Sequence, residues 1–145
     1  MTTDVKTAST RVAYGEELRQ LGHENPNIVV LDADLAKSTQ TILFGQEHPD
    51  RFFYVGISEQ NMMSMAAGLA ATGKTVFAST FAVFAAGRDF DQVRIGISWP
   101  NANVKIVASH GGVSVGEDGA SAQSIEDFAL MGSLPPFRVI VPADY

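Results

Sequence analysis

The stretch "NIVVLDAD", residues 27–34, decides how the chain is read. Four apolar side chains, three of them β-branched, run without interruption and then give way abruptly to Asp32 and Asp34. A short β-branched run with no polar alternation is the mark of a strand buried on both faces. Its end should deliver the two acids into a loop.

Working outward, similar runs recur at intervals filled by helical patterns. On the N-terminal side, Ser9 and Thr10 are cap residues for a helix reaching about Leu21, with Gly22 as a stop signal. Downstream, a short helix is expected over 38–46, and "RFFYVGI" from Arg51 is a second strand. Ser58 is a candidate N-cap for a helix carrying Met62, Met65, Ala66 and Leu69 on one stripe and stopping near Gly73. "KTVFAST" is a third strand, 81–98 a helix rich in small residues, and "NVKIVASH" a fourth strand. A glycine-rich loop over 111–121, a helix over 122–132 and a last strand "FRVIVP" complete the series. Strands alternating with helices imply an α/β fold: a doubly wound, mainly parallel sheet covered by helices on both faces. Ligands in such sheets bind beyond the carboxyl ends of the strands. Asp32, Asp34, Ser58, Glu59, Thr80, Ser109 and His110 all fall there.

Composition narrows the function. The 145 residues carry 46% hydrophobic and 18% charged side chains, as expected of one soluble domain. A net charge of −6 speaks against nucleic-acid binding, which needs a basic stripe. The absence of cysteine removes disulfide and thiolate chemistry. No apolar run reaches the ~20 residues that span a bilayer. The polar start "MTTDVKTAST" does not read as a secretory signal, so a cytoplasmic location is expected. Residues 1–8 read as a flexible lead-in and 9–145 as one domain. A chain that stops just after a strand is expected to lack the domain's closing helix and strand, and a further domain.

Individual residues keep two readings each. Glu59 either dresses a helix start, where a carboxylate meets the positive end of the dipole, or is the acid of a site. Ala66, Ala67, Gly68, Ala70 and Ala71 permit close packing on the chain's own sheet or on another subunit. Phe81 and Phe84 are core aromatics or a stacking wall for a flat ring. In "SHGGVSVGEDGASAQSIED" the glycines bend the backbone close to something. GxGxxG and the P-loop lysine are both absent, so no Rossmann or Walker phosphate site is indicated. His110, Glu117 and Asp118 lack metal-ligand spacing, and no protein-borne metal site is expected. His23 and His48 read as solvated loop residues.

Taken in order, "TR" at 10–11, "DADLAKS" at 32–38, "VGISEQNM" at 55–62, "STFAVF" at 79–84, "SHGGVSVGEDGAS" at 109–121 and "VPAD" at 141–144 resemble the pyrimidine-binding domain of transketolase. The likeness is to the C-terminal subunit of split, two-gene enzymes. It implies a transferase of carbohydrate metabolism that moves a two-carbon ketol unit between sugar phosphates with thiamine diphosphate, as in the pentose phosphate pathway. Within it Glu59 matches the catalytic glutamate that hydrogen-bonds the cofactor's pyrimidine ring. A carboxyl shielded from water can hold or share a proton near neutral pH, which suits that role.

The resemblance further implies that Phe84 stacks on the pyrimidine and Phe81 lines the same pocket. Asp34 matches a carboxylate buried near the subunit interface and the cofactor. Arg11 and Ser38 match positions holding the sugar phosphate, His110 a catalytic histidine at that phosphate, and Asp118 the acid that reads a substrate hydroxyl. Ala122 stands where the family usually has a histidine, Gly87 where an aromatic is frequent, and Gly132 where an arginine is. The pyrophosphate and its Mg2+ belong to a partner, an N-terminal subunit with a Gly-Asp-Gly…Asn motif absent here. A hetero-oligomer built around a dimer follows. The same fold and glutamate serve 1-deoxyxylulose-5-phosphate synthase and 2-oxo-acid dehydrogenase beta subunits, and Ala122 also fits a non-catalytic assembly subunit.

Overall fold

The computed structural model describes residues 8–144, so most of the expected lead-in over 1–8 lies outside the described residues. Helix α1 (Thr10–Glu24) leads into strand β1 (Ile28–Asp32). The short helices α2 (Ala36–Thr39) and α3 (Ile42–Glu47) follow, then β2 (Phe52–Tyr54), α4 (Glu59–Ala71) and β3 (Thr75–Phe81). A wide-turned helical stretch (Phe84–Arg88), α5 (Phe90–Gln92) and a second wide-turned stretch (Val93–Ser98) lead to β4 (Val104–Ser109). Helix α6 (Asp127–Gly132) is the last element.

The four strands form one sheet in the order β2-β1-β3-β4, every neighbouring pair parallel. All five residues of β1 are buried, as its unbroken apolar run requires. The two-residue period sends Val29 and Leu31 into a core with Met62, Met63 and Ala66 of α4. It sends Ile28 and Val30 into a second core with Leu18 of α1 and Phe44 of α3. The expected doubly wound α/β architecture is therefore present. No helix among the described residues is long and apolar enough to cross a membrane.

Several boundaries differ from expectation for identifiable reasons. Gly22 does not end α1, which runs on to Glu24; it is buried, and an added Cβ would lie 2.5 Å from the His48 ring and 2.7 Å from Phe44. The helix expected over 38–46 splits at Gln40, whose φ of 67° interrupts it. Residues 81–98 are not one helix: Phe81 remains in β3, and the helix is broken around the buried Asp89. Part of 122–132 is not helical, because Gly112 and Ser124 exchange backbone hydrogen bonds of 2.7 and 3.2 Å and hold that stretch extended. "FRVIVP" forms no strand. Among the described residues it has no ladder partner on β4; Phe137 packs on the core, but Val139, Ile140 and Val141 are exposed, so little packing offsets the cost of ordering them. The small residues of α4 do serve packing within the chain: Ala67 sits 3.1 Å from where a Cβ on Gly96 would be.

Candidate active site

Every strand points its carboxyl end to the same edge of the sheet, and the polar side chains collect there. Asp32 closes β1 fully buried. One of its oxygens accepts 2.8 Å hydrogen bonds from the Thr39 and Thr41 hydroxyls, and the other accepts the Leu35 amide at 2.6 Å. Burial pushes its carboxyl up, and these three donors work against that. Asp32 thus organises the 33–41 loop rather than offering itself to a ligand. Asp34 adopts φ 67° at the turn and is exposed in the single chain, beside Leu35, Ser38 and Tyr54 in an open cleft. Within this chain alone Asp32 is the enclosed acid and Asp34 the exposed one.

Ser58 occupies the position before α4, but its hydroxyl donates to the Val55 carbonyl at 2.8 Å instead of capping the helix. That turn seats Glu59 as the first residue of α4 with 1% exposure. Glu59 accepts a 2.6 Å ion-paired hydrogen bond from Arg88 and a longer one, 3.4 Å, from the Thr80 hydroxyl. The Arg88 guanidinium also lies over the Phe84 ring, 4.1 Å from its centroid. A flat group that donates N–H to Glu59 while resting on Phe84 is therefore what this seat accepts. Asp89 is buried behind it with neither carboxylate oxygen hydrogen-bonded. Its carboxyl is pushed up to about 8, by burial first and by the charge of Glu59 second. Arg88 and Asp89 went unnoticed in the sequence. The available signal was a charged pair set into the small apolar run "FAVFAAGRDFDQ".

Phe81 and Phe84 stack nearly parallel, 6.0 Å apart and 12° from coplanar. Phe81 is buried and touches the His110 ring at 4.0 Å, so it links the Glu59 seat to the histidine. His110 holds φ 59°, and Ser109 Oγ lies 2.8 Å from its Nδ1. Its pKa is lowered, by burial first and by the Arg11 charge second, while Asp118 opposes both. Arg11 and Asp118 thus both lie within electrostatic reach of His110. Arg11 donates to the Ser38 carbonyl at 3.2 Å and lines one cleft with His110, whereas Ser38 lines the neighbouring cleft of Asp34 and Tyr54. Ala122 is buried against Phe81 and Val115 and supplies no polar group to the site. An exposed Gly87 leaves open space where a side chain would stand.

The family model described as the transketolase pyrimidine binding domain matches residues 6–145. A Methanocaldococcus jannaschii protein named for a transketolase C-terminal section is 56% identical over 135 residues, covering 93% of this chain and 43% of the relative. Human transketolase is 46% identical over 137 residues, covering 94% of this chain and 22% of the relative. A solved structure titled as a split gene transketolase, an inactive beta4 tetramer, superposes with a TM-score of 0.83 at 57% identity. That match covers 96% of this chain and 44% of the other. The chain thus spans less than half of each of these relatives. A family match over residues 6–145, on a sheet that gathers Glu59, Phe84 and His110 at one edge, leads to one conclusion: the chain belongs to the transketolase pyrimidine-binding domain family.

Proposed function

We propose that the chain is the pyrimidine-binding part of a thiamine-diphosphate transketolase, completed by a partner subunit that supplies the pyrophosphate and Mg2+ site. The observation that carries this reading is the seat formed by buried Glu59 and the face of Phe84, already taken by a planar N–H donor. A pyrimidine ring needs the same two things, a carboxylate at a ring nitrogen and an aromatic face. When bound, thiamine diphosphate supplies the carbanion-stabilising centre that ketol transfer needs. Glu59 would hold a proton at the pyrimidine nitrogen, and Arg88 would move aside. Phe81 and Phe84 would exclude water from the ring, which strengthens the Glu59 contact. Arg11 and the Ser38 segment would bind the sugar phosphate, a planar guanidinium being suited to a phosphate's oxygens. A neutral His110 can then donate one ring N–H to substrate while its other nitrogen accepts from Ser109. Asp118 would accept a substrate hydroxyl, and Asp34 would become buried as the partner closes over its cleft.

The test combines the chain with its N-terminal partner, Mg2+ and thiamine diphosphate, and measures ketol transfer from xylulose 5-phosphate to ribose 5-phosphate. Activity that needs both polypeptides is the expected result, and Glu59→Gln should lower it by about 10²–10⁴-fold while the variant melts normally. Near-native activity of that variant would remove Glu59 from its role. Cofactor binding without transfer would direct attention to Ala122 and a different acceptor or chemistry. No cofactor binding in a well-formed complex would make the chain an assembly subunit.

A further inference from the structure

At the opposite end of α1 from Arg11 the fold assembles a cluster that the sequence keeps apart. His23 lies in the last turn of α1, Glu47 ends α3, and His48 follows it. His23 lies twelve positions along α1 from Arg11, about 18 Å at 1.5 Å per residue, so the cluster is remote from Arg11. His23 Nε2 is 2.5 Å from Glu47 Oε2, and the two imidazole rings meet edge-on at 4.7 Å. One ligand-capable atom from each of the three residues lies within 4.8 Å of the other two.

His48 was expected in solvent but is 8% exposed. The ring packs on Phe44 at 4.8 Å and into the space left by Gly22, where any Cβ would collide with it. Among the described residues the ring's one hydrogen-bond contact is Nε2 to the Arg19 carbonyl at 3.4 Å, longer than a good N–H···O bond. The fold therefore immobilises a buried imidazole without giving it a strong partner. His23 and Glu47 keep side-chain exposures of 51% and 39%, so they can adjust and leave a solvent path. Two cations stand near the cluster: Arg19, 3.7 Å from Glu47 and itself 43% exposed, which can turn away, and Arg51, whose guanidinium is held by the Gly22 carbonyl at 2.9 Å and lies over the Phe44 ring.

We propose that His23, Glu47 and His48 form a binding site for a divalent cation of the zinc class, separate from the Glu59 seat. Two imidazoles and one carboxylate are a donor set suited to Zn2+ and its borderline neighbours, not to Mg2+ or Ca2+, which take oxygen. Tetrahedral Zn2+ with bonds of about 2.1 Å spaces its ligands about 3.4 Å apart. Small movements of the two exposed side chains reach that geometry, with water filling the open position. The ion would tie the end of α1 to the end of α3.

The test uses the full chain without an affinity tag, stripped of metal and titrated with Zn2+ against a chromophoric chelator. One zinc per chain is expected, and the thermal midpoint should rise with zinc concentration. His23→Ala and Glu47→Gln, both half-exposed positions, should each weaken binding by at least about tenfold, since even outer-shell partners cost about 10–100-fold. Zinc uptake that is absent, or equal in the parent and the double variant, overturns the proposal. A readout without any variant is the imidazole NMR spectrum of the three histidines. Zinc should move the signals of His23 and His48 and leave His110 in place; movement of His110 alone would sink the idea.

Discussion

Asp89 is the residue whose chemistry departs furthest from its ordinary state. Its carboxyl sits at about 8 in the fold and near the ordinary 3.8 once unfolded, with burial the main cause. The folded chain therefore binds this proton more tightly than the unfolded chain. The associated stability is fully present below the unfolded value and is lost as pH rises through about 8. Urea midpoints should fall between about pH 5 and about pH 9, and Asp89→Asn should flatten that fall. Asp32, also raised by burial, contributes with the same sign and leaves a residual slope in the variant. A variant with the same slope as the parent would mean that Asp89 is ionised at neutral pH.

At the scale of elements, the contact between Arg11 and Ser38 depends on where α1 meets the α2 segment. Gly15 is buried on α1, and a Cβ there would lie 2.6 Å from both the side chain and the backbone carbonyl of Gln40. Gln40 is held with φ 67° and has little freedom to yield. Gly15→Ala gains roughly 1 kcal/mol of helix propensity but overpacks the junction, which costs about 1–3 kcal/mol. The net effect should be destabilising in urea unfolding. If the proposed function holds, the variant should also raise the KM for the sugar phosphate in the assembled enzyme, because Arg11 and Ser38 are carried by the two elements being forced apart. Gly22 illustrates the limit of sequence signals at this scale. A glycine near a helix end reads as a stop, yet here it makes room for His48 and Phe44. Such close approach comes from another part of the chain, and local spacing carries no trace of it.

At the scale of the whole molecule, the carboxyl edge exposes apolar surface. Tyr54 and Ile57 are 58% and 75% exposed next to the Asp34 cleft and just before Glu59. Exposed apolar side chains beside an incomplete site suit a face that another subunit covers. Ile57→Asp should leave the chain folded and its thermal midpoint within the range of surface substitutions. Under the proposed function it should weaken association with the N-terminal partner by at least about tenfold, as truncation of a central apolar contact does. Sedimentation of the mixed chains measures this. Unchanged assembly would place the contact face elsewhere.

Much of the fold was legible because β1, β3 and β4 are short β-branched runs set between helical patterns, and burial on both faces leaves few other solutions. Glu59, Phe81, Phe84, Arg11, Ser38 and His110 could likewise be named, because their segments resemble those of one family. What the sequence alone determined was the alternation of buried strands and helices, and with it the edge where polar residues collect. Only the tertiary structure decided that Arg88 pairs with Glu59, that Asp89 is buried without a partner, that Asp32 rather than Asp34 is enclosed, and that His23 meets His48. The reason is physical. Periodicity reports how one segment faces the core, whereas ion pairs, desolvation and close approach depend on distances between segments far apart in the chain.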